Sequence, residues 1–157
     1  MRRVLAISST GGHWVQLLRL MPAFQGTALA LATSDPAART QANDAAARAG
    51  LPEPAFHTFP EANRWQKARL LAQLVRVSAI LLAVRPHVIV TTGAAAGYLA
   101  IRLGRLLGAK GVWIDSIANV EALSLSGEKA GPHAALWLTQ WPDLARPHGP
   151  HYRGSVL

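Results

Sequence analysis

Val4-Leu5-Ala6-Ile7-Ser8-Ser9-Thr10-Gly11-Gly12-His13 passes from an apolar run to a polar, glycine-containing turn. The apolar part reads as a buried strand. Behind the turn, Trp14-Val15-Gln16-Leu17-Leu18-Arg19-Leu20 places apolar residues at helical spacing. Two glycines permit a tight turn and let a ligand approach the backbone without meeting a Cβ. The helix behind them offers unpaired N–H groups and a positive dipole end to an anion. His13 falls at that end, and histidine is the side chain that changes charge nearest neutral pH. Strand, glycine turn and histidine together point to a site for a phosphate-bearing ligand. An ordinary strand–helix turn with a surface histidine is the alternative reading of the same residues.

On either side of this unit the chain alternates strand and helix. Thr27 to Thr33 is a second apolar run. Asp35-Pro36 opens a helix, with Asp35 as its cap, and Gly50 closes it. Ala55 to Phe59 is a short third strand ended by Pro60, and a helix is predicted from Arg64 to Val84, stopped by Arg85-Pro86. His87 to Thr91 is a fourth strand, Gly93 to Gly97 a loop of small residues, and Tyr98 to Leu107 a helix ended by Gly108. Gly111 to Asp115 and Ala135 to Thr139 complete the strands, with Trp137 in the core. This order predicts an α/β fold, a parallel sheet covered by helices on both faces. Ligands of such sheets bind beyond the carboxyl ends of the strands.

Composition narrows the function. The 157 residues suit one domain, residues 1–157, and half of them are hydrophobic, enough for a true core. No cysteine is present, which removes disulfides, thiolate catalysis and cysteine-bound metals and fits a cytoplasmic protein. The apolar run after Arg2 and Arg3 is too short for a signal peptide or a membrane span. Lysine and arginine outnumber aspartate and glutamate 16 to 8, a net charge of +8 that calls for an anionic partner. The basic residues are scattered along helices and no nucleic-acid motif is visible, so a membrane surface fits better than a nucleic acid.

Three strand ends carry the polar residues. The first delivers Ser9, Thr10, Gly11, Gly12 and His13; the fourth delivers Thr91, Thr92, Gly93 and, past three alanines, Gly97; the fifth delivers Asp115 and Ser116. For Thr92 to Gly97, phosphate contact and close packing of helix on strand are both open. For Asp115, a helix cap or loop hydrogen bond is the alternative to a ligand contact.

In this order the motifs resemble one family. Ser8-Ser9-Thr10-Gly11-Gly12-His13, Thr91-Thr92-Gly93-Ala94-Ala95-Ala96-Gly97 and Trp113-Ile114-Asp115-Ser116 carry the resemblance. Ser124-Leu125-Ser126-Gly127, Thr139-Gln140-Trp141-Pro142 and Tyr152-Arg153-Gly154-Ser155-Val156 extend it over nearly the whole chain. The family is the acceptor-side subunit of a split N-acetylglucosaminyltransferase, with its bacterial polysaccharide-biosynthesis counterparts. The Gly-Gly-His loop is also similar to that of the peptidoglycan enzyme that glycosylates lipid I. The resemblance implies a Rossmann-like sheet like the N-terminal, acceptor domain of a GT-B glycosyltransferase. A GT-B enzyme needs two such sheets and this chain has room for one, so the donor side would come from a separate subunit.

By the same resemblance a lipid-pyrophosphate sugar acceptor would lie across the loops, its diphosphate near Gly12 and Gly97, with Ser9, Thr10, Gly11, Thr92 and Gly93 around it. His13 matches the family's loop histidine, a general base or acceptor contact. Asp115 stands where relatives often carry glutamate, and Asn119 where they often carry arginine. Asp115, Ser116 and Asn119 are therefore expected in acceptor positioning rather than chemistry. No Asp-x-Asp pair occurs, so neither metal nor cofactor is expected. The eukaryotic members anchor their partner to a membrane through an N-terminal helix. This chain lacks one, which implies a peripheral attachment at the inner face of the cell membrane. Arg64, Trp65, Lys67, Arg69 and Arg76 are the candidates, with Arg69, Gln73 and Arg76 on one basic helical face. An ordinary sheet-covering helix is the alternative there. The partner interface is placed on the tail, at Tyr152, Val156 and Leu157, against the alternative that the tail adds a last strand to its own sheet. A scaffold without catalytic function, and a stand-alone nucleotide-binding Rossmann module, are the competing functions. The first loop lacks the spaced Gly-x-Gly-x-x-Gly pattern of the latter.

Overall fold

The computed structural model describes residues 1–63 and 65–156. Among the described residues there are seven strands: β1 (Arg2–Ile7), β2 (Thr27–Thr33), β3 (Ala55–Thr58), β4 (Val88–Thr91), β5 (Lys110–Ile114), β6 (Leu136–Thr139) and β7 (His151–Tyr152). They form one sheet in the order β3-β2-β1-β4-β5-β6-β7, and every pairing is parallel. Five helices join them: α1 (Gly12–Arg19), α2 (Arg39–Arg48), α3 (Lys67–Val84), α4 (Ala94–Leu106) and α5 (Leu125–Ala130).

Both faces of the sheet are covered, so its central strands read as unbroken apolar runs. Within β1 the side chains alternate: Val4 and Ala6 join Trp14, Leu17, Ala42 and Ala45 of α1 and α2 in one core. Leu5 and Ile7 join Val77, Ile80 and Leu81 of α3 and Ala96, Ala100 and Ile101 of α4 in the other. Asp35 caps the turn before α2 as expected, its carboxylate accepting from the Ala37 N–H at 2.9 Å. Trp137 is half-buried and packs on the second core, with Gly131 directly beneath its ring.

Three expectations change. α4 begins at Ala94, so the stretch expected as a loop is mostly the first turn of a helix. Small residues are required there because the helix lies close on β4. A Cβ on Gly97 would collide with Thr91 Oγ1, and one on Gly104 with Ile89 Cδ1. α3 begins at Lys67; Arg64 lies outside the described residues. The helix is also turned differently from expectation. Gln73 faces inward, 2% exposed, and donates to the Pro60 carbonyl at 3.0 Å, while Leu71, Val75 and Leu82 point outward. Its apolar residues surround the helix, so periodicity alone does not single out the sheet-facing side; Val77, Ile80 and Leu81 take it. Of the two readings of the tail, the last strand is present: it supplies β7, which pairs with β6 through Leu138–His151 and Thr139–Tyr152.

Candidate functional site

Strand order reverses between β1 and β4, and the crevice of such a sheet opens at that switch point. The two loops there are the Gly-Gly-His turn after β1 and Thr92-Gly93 after β4. They lock together. The Thr92 hydroxyl donates to the His13 carbonyl at 2.7 Å, and His13 Nδ1 meets the Thr92 carbonyl at 2.8 Å. A carbonyl only accepts, so Nδ1 donates in this contact, and in the neutral ring Nε2 is the nitrogen with the lone pair. The imidazole lies on Gly93, where a Cβ would come within 2.6 Å of Cε1 and 2.7 Å of Nδ1. Gly93 and Ala94 have φ of 137° and 68°, and Ala94 is one of two non-glycine residues with positive φ among those described. Such strain concentrates at functional positions.

Gly11 and Gly12 are exposed at the start of α1, where neither a side-chain cap nor an acidic residue in the first turn engages the free N–H groups. Ser9 and Thr10 are half-buried beside them, with no hydrogen bond from their hydroxyls to the described residues. His13, Thr92 and Gly93 are thus brought together with Ser9 to Gly12. Gly97 is not: it is buried in the helix–strand contact with Thr91, the packing role rather than a ligand contact.

Asp115 is 1% exposed, and its carboxylate is consumed inside the protein. It accepts from Trp113 Nε1 (3.0 Å), Asn119 Nδ2 (3.0 Å), the Ser124 hydroxyl (2.6 Å) and the Ser124 N–H (3.0 Å). Ser124 in turn caps α5 by accepting from the Gly127 N–H at 2.9 Å. Ser116 accepts from Gln16 Nε2 at 3.1 Å and from the Ala118 N–H at 3.3 Å. Asp115 and Ser116 therefore brace the loop after β5, and partly buried Asn119 joins them through its Nδ2.

Two buried residues escaped the sequence reading. Gln140 donates to Gln16 Oε1 (2.6 Å) and to the Asp115 carbonyl (2.9 Å), while Gln16 Oε1 also accepts from the Ile117 N–H (3.0 Å). Together they tie α1 to the loops after β5 and β6. The signal was a glutamine on the inward side of an apolar helix, and another inside Thr139-Gln140-Trp141-Pro142.

Trp65 is 79% exposed, and Lys67 and Arg69 are exposed at the start of α3, whereas Arg76 Nε donates to the Thr58 carbonyl at 2.8 Å. Tyr152 belongs to β7 and is 39% exposed. The Val156 N–H donates to Gln140 Oε1 at 2.7 Å, so the tail folds back on its own domain; Leu157 lies outside the described residues. Among the described residues no three His, Asp or Glu side chains gather as a metal site. No helix among them is long and apolar enough to cross a membrane.

One parallel sheet with its crevice at the switch point defines a Rossmann-like α/β domain of the kind that forms half of a GT-B glycosyltransferase. It superposes on MurG of Acinetobacter baumannii with a TM-score of 0.75 at 11% identity, covering 99% of this chain and 46% of that one. It also superposes on a UDP-GlcNAc 2-epimerase of Neisseria meningitidis with a TM-score of 0.59 at 8% identity, covering 89% of this chain and 40% of that one. At these identities the likeness is one of fold, and the chain spans less than half of either protein. The chain belongs to the oligosaccharide biosynthesis protein Alg14-like family, whose sequence profile matches residues 4–156. It is 28% identical over 168 residues to the UDP-N-acetylglucosamine transferase subunit ALG14 of Eremothecium gossypii, covering 92% of this chain and 75% of that one. A 49-residue segment is 49% identical to the same subunit of Schizosaccharomyces pombe, covering 31% of this chain and 22% of the relative.

Proposed function

We propose that the chain, as one acceptor-side domain over residues 1–157, is the membrane-associated half of a two-polypeptide glycosyltransferase. A separate subunit holds the nucleotide sugar, of the UDP-linked kind named in the relatives, and this domain presents a lipid-pyrophosphate-linked acceptor in bacterial polysaccharide assembly. The observation that carries the reading is the His13–Thr92 lock, which engages Nδ1 and leaves Nε2 as the ring nitrogen available at the switch-point crevice. In the reaction the acceptor hydroxyl gives its proton to Nε2 and its oxygen bonds the anomeric carbon, while the bond from that carbon to the nucleoside diphosphate breaks. The free N–H groups at the start of α1 and the hydroxyls of Ser9 and Thr10 suit the acceptor's diphosphate. Membrane contact, on the cytoplasmic side, falls to the outer face of α3, where Trp65, Leu71 and Val75 stand exposed beside Lys67 and Arg69.

A scaffold role that only recruits the donor subunit is the second reading. It is favoured by the full internal engagement of Asp115, which leaves His13 without a carboxylate partner from β5. His13→Ala separates the two. In the complex reconstituted with its donor subunit, transfer should fall roughly a hundredfold or more, with the melting temperature unchanged. Near-normal turnover by the folded variant refutes the base assignment and leaves the scaffold.

A further inference from the structure

An open cavity of about 1050 Å³ lies at the opposite pole of the sheet from the crevice, where β1 and β5 begin and α3 and α4 end. Arg2, Arg3, Arg85, Lys110, Leu82 and Leu107 contribute to its wall, and no acidic residue does. Arg3 has a structural task. Its Nε donates to the Arg85 carbonyl at 2.8 Å, closing the end of α3, where Arg85 takes a left-handed φ of 45°. Arg2, Arg85 and Lys110 have no side-chain bond to any described residue. The same wall holds apolar residues that the fold leaves uncovered, Leu82 at 59% and Leu107 at 53% exposure, and Leu106, next to Leu107 at the end of α4, is 82% exposed.

Cations alone would suit any polyanion. Leucines among them suit a surface whose phosphates lie directly over hydrocarbon, as in a bilayer with anionic headgroups. A soluble phosphate compound or a nucleic acid leaves the leucines in water. The position matters as much as the chemistry. Leu82 belongs both to the cavity wall and to the exposed stripe of α3 that contains Leu71 and Val75. The 18 residues of α3 span about 27 Å, with Trp65 just before one end and Arg85 just after the other.

We propose that this pole cavity binds the phosphate headgroups of anionic lipids and, together with the Trp65 end, lays α3 along the bilayer. The inference rests on the membrane-associated reading above and adds a second attachment point to it. Contact at the pole alone would aim the crevice away from the membrane, and contact at Trp65 alone would let the domain pivot. With both ends held, the crevice opens along the headgroup layer, at the height of a pyrophosphate-linked acceptor.

The test is co-sedimentation of the full chain with phosphatidylglycerol-containing vesicles and with phosphatidylcholine vesicles at low ionic strength. Arg2→Gln/Arg85→Asn/Lys110→Gln uses asparagine at the left-handed position, which that residue tolerates. At about fivefold per basic residue, binding to the anionic vesicles should weaken on the order of a hundredfold. Arg2→Gln/Lys110→Gln, which leaves the end of α3 intact, should weaken it about 25-fold on the same scale. Arg48→Gln/Lys129→Gln/Arg146→Gln removes the same charge from other exposed positions and should cost less than tenfold. Equal losses in the pole and control variants overturn the cavity but leave the membrane reading standing. Equal binding of the unaltered chain to both vesicle types also overturns the cavity and leaves membrane association standing, and binding to neither overturns both.

Discussion

His13 and Thr92 exchange two hydrogen bonds, each backbone carbonyl receiving one from the other residue's side chain. The ring is thereby oriented without help from an acidic group, and Gly93 supplies the floor it rests on. Gly93→Ala should therefore act almost as strongly as loss of the histidine, because the new methyl occupies the ring's place. It also meets a φ of 137° that side chains avoid, adding about 1–2 kcal/mol of strain. A histidine resonance shifted from its unaltered position, with transfer reduced at least tenfold, is the expected result; an unshifted ring refutes the contact. His57 in β3 is a different case. Burial first, then the Arg76 and Arg39 charges, hold its pKa below 6.5. The unfolded chain thus takes up the proton first, so stability is full above about pH 6.5 and declines as pH falls below it. His57→Gln should flatten the fall in melting temperature between pH 7.5 and 5.5, and an unchanged slope refutes the assignment. At this scale His13 and Gly93 were legible in the sequence, since a glycine turn after a strand has few uses. The Asp115 cage was not, because its donors Trp113, Asn119 and Ser124 converge only once the loop after β5 has closed.

Among the elements, the strands were the clearest, since both sheet faces are buried and β1, β2, β4 and β5 stand out as apolar runs. Helix starts and helix faces were not. Gly93 to Gly97 looked like a loop because small residues serve loops and close-packed helices alike, and only the proximity of Thr91 distinguishes the two. Gly97→Ala should cost about 1–3 kcal/mol by overpacking, measured by denaturant unfolding; an unchanged midpoint would mean that α4 stands further from β4. For α3, an apolar circumference concealed the orientation. The observed one predicts a sharp contrast. Leu81→Ala, on the buried side, should cost about 2–5 kcal/mol. Leu71→Ser with Val75→Ser, on the open side, should change stability by less than about 1 kcal/mol while weakening vesicle binding. Comparable destabilisation from both sides refutes the assignment.

For the whole molecule, the sequence left the tail with two futures, and the sheet has taken its first part as β7. Beyond that strand Val156 hangs on Gln140, which also holds Gln16 and the Asp115 carbonyl. Gln140→Ala leaves several buried groups unsatisfied and should cost about 3 kcal/mol or more, seen as a lowered melting temperature. A neutral effect would show that the network is not shared. Pairing across this sheet follows one further rule: no two neighbouring strands form a hairpin, and the central contact joins β1 to β4. His13 and Thr92 are 79 residues apart in the chain. A nascent chain that has emerged only as far as α3 holds the histidine but has nowhere to anchor it. The crevice comes into being late, when the fourth strand enters the middle of the sheet, and such distant closures are slow. A ligand that recognises the locked histidine will therefore report that the centre of the sheet has been built, and will ignore every shorter intermediate.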